Sequence, residues 1–305
     1  MPGSDGVRVA LIVVNWNNAR QTLTCLDSVA ALRTPVWRTF VVDNASTDGS
    51  PKRIATRHPG AHVVTSAINR GYAGGFNLGR AEALRASASH VWLLNNDTLL
   101  DEYALDALLA ADKRLGPAVL SPKILHTQRR DELWYAGGRL TWDLKTRHIG
   151  QGELDRGQHD QVRKLQWATG CSLFCSADVA RRLGPMDERY FLYLEDVDWC
   201  LKARAVGVPL YFVPEARVYH AVSQTVARLT DGHLAYYAWR NHYLLATERG
   251  NFWLRTVARA DLVWRLVKTA LRRLCMPNTC REPAYAWRTR GLIDFARGRF
   301  GQVSA

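Results

Sequence analysis

VRVALIVVNW, residues 7–16, is a near-continuous apolar run that stops at a polar residue, Asn15. Strands buried on both faces of a parallel sheet read this way, whereas half-exposed strands alternate. Working outward, a helix is expected over residues 19–32, then the strand WRTFVVD (37–43) and the turn and helix-entry signal NASTDGS (44–50). HVVTS (62–66), a helix near 74–88, HVWLLNND (90–97), a helix at 101–115 and AVLSP (118–122) continue the alternation. Strands alternating with helices imply βαβ units with right-handed crossovers, hence an α/β fold with a mostly parallel sheet flanked by helices.

Beyond Pro122 the rhythm changes. LWYAGGRLTW (133–142) suggests a hairpin around Gly137–Gly138, and residues 145–165 a polar, mobile loop. WATGCSLF (167–174) returns as a buried strand, and SADVARRLG (176–184) reads as a capped helix ended by Gly184. Residues 233–250 and 253–274 are helical. This divides the chain into a catalytic region at 1–225, with halves at 7–122 and 123–225, and a basic helical extension at 226–305.

Three predicted strands end in Asn15, Asp43 and Asp97. In open α/β sheets ligands bind beyond the carboxyl ends of the strands. Any one of these residues alone would be read as a cap or turn residue. Together with YFLYLEDVDWCLKARAVG (190–207), they suggest a site that handles a metal, a phosphate ester and a proton. Glu195, Asp196 and Asp198 sit there among apolar neighbours, where charge is costly unless paired, hydrated or used. Glu195 and Asp196 are adjacent, so only one can point into a given cleft, and a carboxylate near apolar walls gains proton affinity and can serve as a base. Asp198 can equally be a helix-terminal acid. NRGYAGGFNLG (69–79) is a glycine-rich helix entry whose amides could face a diphosphate, or simply a tight turn; it fits neither a Walker A loop nor G-x-G-x-x-G. Asp97 in LNNDT is the candidate metal ligand, with donor phosphates completing the shell, and His220 could add an imidazole, which Mn²⁺ accepts better than Mg²⁺.

The 305 residues are 47% hydrophobic, enough for a sizeable core, and the formal charge is +13. Residues 226–305 hold 14 Lys and Arg against 5 acids, so that part should meet an anionic surface. On the helix at 253–274, Trp253, Val257, Ala260, Trp264, Val267, Leu271 and Leu274 form one stripe. Arg255, Arg259, Arg265, Lys268, Arg272 and Arg273 take much of the rest, which suits either packing or an anionic membrane. Six cysteines without zinc-ligand spacing, and no visible signal peptide, point to free thiols in a reducing cytoplasm, and the membrane reading of the helix at 253–274 would add peripheral attachment to the membrane's inner face. No window approaches 18 uninterrupted apolar residues.

In order, VVNWN, VVDNASTDGS, NRGYAGGFNLG, LNNDT, ATGC, LGPMDERYFLYLEDVDWCLKARAVG and VYH resemble the family 2 glycosyltransferases, especially the bacterial rhamnosyltransferases and galactofuranosyltransferases, over roughly residues 7–250. The resemblance implies the GT-A fold, a nucleotide-diphosphate sugar donor (dTDP- or UDP-linked), inversion at the anomeric carbon, and a glycan or lipid-linked acceptor in cell-surface polysaccharide synthesis. By position it places Asn15 and Asp43 at the nucleoside, Asp43 at the uracil or thymine edge. Asn69, Gly71 and Asn96 fall near the donor, Asp97 at the end of the metal-binding DxD motif, His220 at a further metal ligand, and Asp196 at the general base beside Glu195. The first Asp of DxD is Asn95 here, whose amide oxygen is a poorer ligand than a carboxylate. A sugar-phosphate nucleotidyltransferase would need a glycine-rich loop near the first strand, and VVNWNNAR has no glycine. A nucleic-acid-binding protein would have no use for LEDVDW.

Overall fold

The structure is a computed structural model, and it describes residues 6–221, 231–275 and 283–303. β1 (Val9–Asn15) is buried at every position and pairs in parallel with β2 (Arg38–Asp43) on one side and β4 (His90–Asn95) on the other. β3 (Ala61–Thr65) extends the parallel edge beside β2. Across β4 the sheet becomes mixed: β11 (Ser172–Ser176) runs antiparallel between β4 and β6 (Val119–His126), and β12 (Leu210–His220) lies parallel to β6. Helices α1 (Ala19–Ala30), α2 (Ser50–Arg57), α3 (Gly71–Arg85) and α4 (Ala104–Leu115) supply the crossovers. The α/β reading therefore holds.

α3 starts at Gly71, three residues before the expected position, because the glycines have packing duties. A Cβ on Gly75 would collide with Val14 of β1, so glycine lets the helix lie close against the strand. Gly71 has φ +70°, and a Cβ there would run into the carbonyl of Phe191.

The expected hairpin at Gly137–Gly138 is not formed. β7 (Leu133–Tyr135) pairs with β6, whereas β8 (Gly138–Leu140) pairs with β9 (Thr146–His148) in a separate two-stranded sheet. The two glycines carry the chain from one sheet to the other, with Gly137 at φ +125°. The polar stretch 145–165 is likewise built in: fully buried Lys123 of β6 binds Asp155 at 2.8 Å and Asp160 beside it, and β10 (Arg163–Lys164) pairs with β12. WATGCSLF is strand only from Ser172, its earlier residues forming part of the cavity described below. α5 (Ala177–Leu183) has the expected cap, the Ser176 hydroxyl accepting from the Val179 N–H, and ends at Gly184 (φ +68°).

α6 (Glu195–Ala205) carries the acidic cluster. Among the described residues the remaining helices are α7 (Asp231–Arg249), α8 (Phe252–Cys275) and α9 (Pro283–Ala296). Leu244 and Leu245 of α7 join the main core, and Arg249 grips Asp198 of α6 through two bonds of 2.7 and 3.0 Å. α8 buries Leu254, Ala258 and Leu262 against α7 and α9. Its opposite face leaves Phe252, Trp253, Val257, Trp264, Val267 and Leu271 exposed, Trp253 at 73% and Trp264 at 62%. The Leu274 and Arg273 side chains of the expected stripe lie outside the described residues. Cys25, Cys171, Cys175 and Cys200 are buried free thiols and Cys275 is exposed, while Cys280 lies outside the described residues. Among the described residues no helix is long and apolar enough to cross a membrane.

Candidate active site

A cavity of about 550 Å³ opens at the carboxyl ends of β1 and β4. Its walls come from distant parts of the chain, among them Val14 and Trp16, Asn44, Asn69, Gly71 and Tyr72, Asn95 to Asp97, Trp134 and His148, Thr169 to Cys171, Phe191 to Val197, His220, and Tyr237 with Gln302 and Val303.

At one end, Asn15 and Asp43 lie just beneath this wall, buried and bonded to each other by Asn15 Nδ2 donating to Asp43 Oδ1 at 2.7 Å. Their neighbours Trp16 and Asn44 face the cavity instead. Thr22 of α1 donates to Asn15 Oδ1 at 2.7 Å and accepts from Asn96 Nδ2 at 2.9 Å, while the Ser46 N–H donates to Asp43 Oδ2 at 3.0 Å. A continuous chain of bonds therefore ties the loop after β2 to the loop after β4. Asn44 secures the α3 entry: its Nδ2 donates to Asn69 Oδ1 (2.9 Å) and Gly71 O (2.8 Å), and its Oδ1 accepts from the Arg70 N–H (2.9 Å). Asn69 Oδ1 also accepts from the Gly71 N–H at 2.9 Å. The Gly71 amide is thus occupied within the loop.

Asp97 and His220 meet because β5 (Thr98–Leu100) pairs antiparallel with the end of β12, setting Thr98 opposite His220. His220 Nε2 lies 3.0 Å from Asp97 Oδ1, both side chains being nearly sealed from solvent. Burial opposes the imidazolium, but Cys171 and the Asp97 carboxylate outweigh it and raise the His220 pKa to about 10. Asn95 Oδ1 and His220 Nδ1 are buried without a hydrogen-bond partner.

Asp196 Oδ2 accepts from the Gly170 N–H at 2.7 Å and its Oδ1 from the Val197 N–H at 2.8 Å. Burial raises its pKa above the ordinary aspartate value, and these amides temper the rise. Glu195 is more deeply buried, its Oε2 has no partner, and burial plus the Asp196 charge push its pKa well up. Asp198 is not part of the cavity: it turns to Arg249 and to the Tyr190 hydroxyl at 3.2 Å. Tyr72 donates to Gly170 O at 2.6 Å and lies within electrostatic reach of Cys171, Glu195, Asp196 and Asp97. Among the described residues the cavity is lined by three carboxylates and by no Lys or Arg.

Residues 10–169 match the family model described as "Glycosyl transferase family 2". The chain belongs to that family. This glycosyltransferase is 27% identical over 266 residues to the N-acetylglucosaminyl-diphospho-decaprenol L-rhamnosyltransferase of Mycobacterium tuberculosis, a match covering 77% of this chain and 84% of the relative. It is 26% identical over 212 residues to a galactofuranosyltransferase of Mycolicibacterium smegmatis, covering 66% and 67%. Its GT-A fold is shared with S. aureus TarS 1–349 in complex with UDP-GlcNAc (TM-score 0.59, 14% identity, 95% and 81% coverage). The mannosyltransferase of Pyrobaculum calidifontis in complex with GDP-Man and Mn²⁺ is also similar (TM-score 0.54, 19% identity, 96% and 86% coverage).

The sequence reading of the enzyme missed Trp16, Asn44, Tyr72 and Gly170. Asn44 had a signal, being the first residue of the turn after β2. Trp134 and His148 had none, because nothing local shows that two separate sheets bring them to one wall.

Proposed function

We propose that this glycosyltransferase moves a sugar from a dTDP- or UDP-linked donor, rhamnose or galactofuranose in class, to a hydroxyl of a lipid-linked glycan, with inversion. The observation that carries this reading is one cavity holding both the Asp97–His220 pair and the amide-held Asp196. The nucleoside would lie against Trp16 and Asn44, over the Asn15–Asp43 pair, whose carboxylate retains lone pairs for a base imide N–H.

The diphosphate is anionic and the described cavity wall is acidic, so a counter-cation would favour its binding. The donor set fits one that displaces the His220 proton: Asp97, His220 and the unpartnered Asn95 oxygen are hard or borderline ligands on one loop and two strand ends, too few to fill a shell without donor phosphates. A divalent cation, Mn²⁺ or Mg²⁺, would when bound neutralise charge growing on the leaving diphosphate. Asp196 takes the proton of the acceptor hydroxyl, which attacks the anomeric carbon opposite the diphosphate. Glu195 stays protonated beside it, so the two carboxyl groups carry one charge between them. The relative in M. tuberculosis is named for a decaprenol-linked substrate, and the exposed Trp and Leu face of α8 suits attachment to the membrane carrying such an acceptor.

Donor hydrolysis across dTDP-, UDP- and GDP-sugars, with and without Mn²⁺, tests the reading. Turnover of a dTDP- or UDP-sugar that requires the cation is expected. Turnover of none, or full turnover in excess EDTA, would overturn it.

A further inference from the structure

The segment that delivers Glu195 and Asp196 to the cavity is held in an unfavourable backbone conformation. Phe191, Tyr193 and Leu194 have φ of 62°, 69° and 70°, values that side-chain-bearing residues rarely adopt. Such conformations persist only where the surroundings impose them. Here the surroundings are two adjacent side chains of α7. Asn241 Nδ2 is shared among the carbonyls of Tyr190 (2.9 Å), Leu192 (2.8 Å) and Tyr193 (2.8 Å). Arg240 Nη2 donates to the carbonyls of Arg189 (3.0 Å) and Tyr190 (2.8 Å), and its Nη1 to Gly301 O (2.7 Å). Arg240 Nε donates to Asn241 Oδ1 at 2.9 Å, locking the amide's orientation.

Both side chains are completely buried. A buried guanidinium is costly, and packing alone would be better served by an apolar residue. No carboxylate among the described residues pairs with Arg240; its charge is met by backbone carbonyls and by the rings of Tyr236 and Tyr237 at 5.2 and 5.0 Å. All its donors are thus directed to backbone, apart from those to Asn241 and the Tyr236 hydroxyl. On the far side, the Tyr72 N–H donates to Phe191 O at 2.7 Å, so the strained turn is tied to the donor loop as well.

We propose that Arg240 and Asn241 are positioning residues for the transferase: they hold the turn at residues 190–194, with Phe191, Tyr193 and Leu194 left-handed, and so set the place of the Glu195–Asp196 pair against Gly170. The proposal rests on the reading of Asp196 as the base. Without Asn241 the turn relaxes, and Asp196 moves off the Gly170 amide.

The test measures kcat, UDP or dTDP affinity and melting for Asn241→Ala, Arg240→Lys and Tyr243→Phe. The last removes the bond from α7 to Asp261 without touching the turn. Asn241→Ala should lose about 10²-fold in kcat, the scale of an ångström misplacement, with nucleotide affinity within about threefold. Arg240→Lys, which keeps the charge and most of the volume, should lose less in the same pattern and decides the matter if Asn241→Ala does not fold. Tyr243→Phe should lower melting and leave kcat unchanged. In an Asp196→Asn background Asn241→Ala should cost almost nothing further, because the two act through one group. A folded Asn241→Ala enzyme with kcat within twofold of the parent would overturn the proposal, as would an equal cost in both backgrounds. If Asp196→Asn alone were fully active, the assignment of the base would fail instead, whatever Asn241 does.

Discussion

Two adjacent carboxyl groups, Glu195 and Asp196, differ in the donors they meet. Asp196 has two backbone amides and Glu195 has a sealed, unpartnered oxygen. A base must be ionised to act, and Asp196 titrates above the ordinary aspartate range because it is buried. The kcat/KM profile should therefore fall off on its acid side above the pH expected of an exposed aspartate. Asp196→Asn should retain the fold while lowering kcat by about 10²–10⁴-fold, roughly 3–5 kcal/mol of barrier. Near-normal turnover in that variant would remove Asp196 from the mechanism. Glu195 makes a different demand. Its folded pKa lies well above its value in the unfolded chain, so the folded state holds a proton that the unfolded state releases. The resulting stability is present below the ordinary glutamate pKa and is lost as pH rises from there towards the folded value. Glu195→Gln should accordingly flatten the decline of melting temperature as pH rises above the ordinary glutamate range; parallel curves for parent and variant would refute a buried, protonated Glu195.

At the scale of elements, the strand ends were legible and the pairing between distant elements was not. The apolar runs ending in Asn15 and Asp43, and the one that closes at Asn95 two residues before Asp97, located the sheet and its ligand edge, because a strand buried on both faces needs little more than local composition to announce itself. LWYAGGRLTW misled because its two glycines serve two different sheets. Asn241 could not have been matched to the carbonyls of residues 190–193, since hydrogen bonds between elements some 50 residues apart leave no local periodicity. The glycines of α3 were visible as a motif, but their use was not. Gly71→Ala would put a Cβ onto Phe191 O at a positive φ, costing on the order of 1–3 kcal/mol of strain. It should weaken nucleotide binding as well as stability, which calorimetry would read; unchanged affinity would separate that loop from the donor. For α8, the expected choice between packing and membrane was too narrow. Leu254, Ala258 and Leu262 are packed while Trp253, Val257, Trp264 and Leu271 are exposed, so one helix has both faces occupied with apolar residues. Binding to anionic liposomes should weaken with salt and should drop sharply in a Trp253→Glu, Trp264→Glu variant that melts like the parent. Equal sedimentation of parent and variant would exclude that face as the anchor.

Across the whole molecule, charge is distributed unevenly in a way that suits the proposed donor only with help. The chain carries a net +13, yet among the described residues the cavity presents Asp97, Glu195 and Asp196 and no Lys or Arg. UDP or dTDP should consequently bind far more weakly in EDTA than with Mn²⁺, and a metal-independent affinity would show that some other group neutralises the diphosphate.

The grip of Arg240 and Asn241 on residues 189–193 also limits how this sequence can be recombined with its relatives. The family match ends at residue 169, ahead of Asp196, His220 and α7. A chimera joined at that boundary would inherit the acidic turn and its clamp from one parent, whereas a junction between Leu194 and Arg240 would pair one parent's acidic turn with the other parent's clamp. Hybrids intended to exchange sugar specificity should work only when the segment from Asp187 to Val303 is inherited as one block.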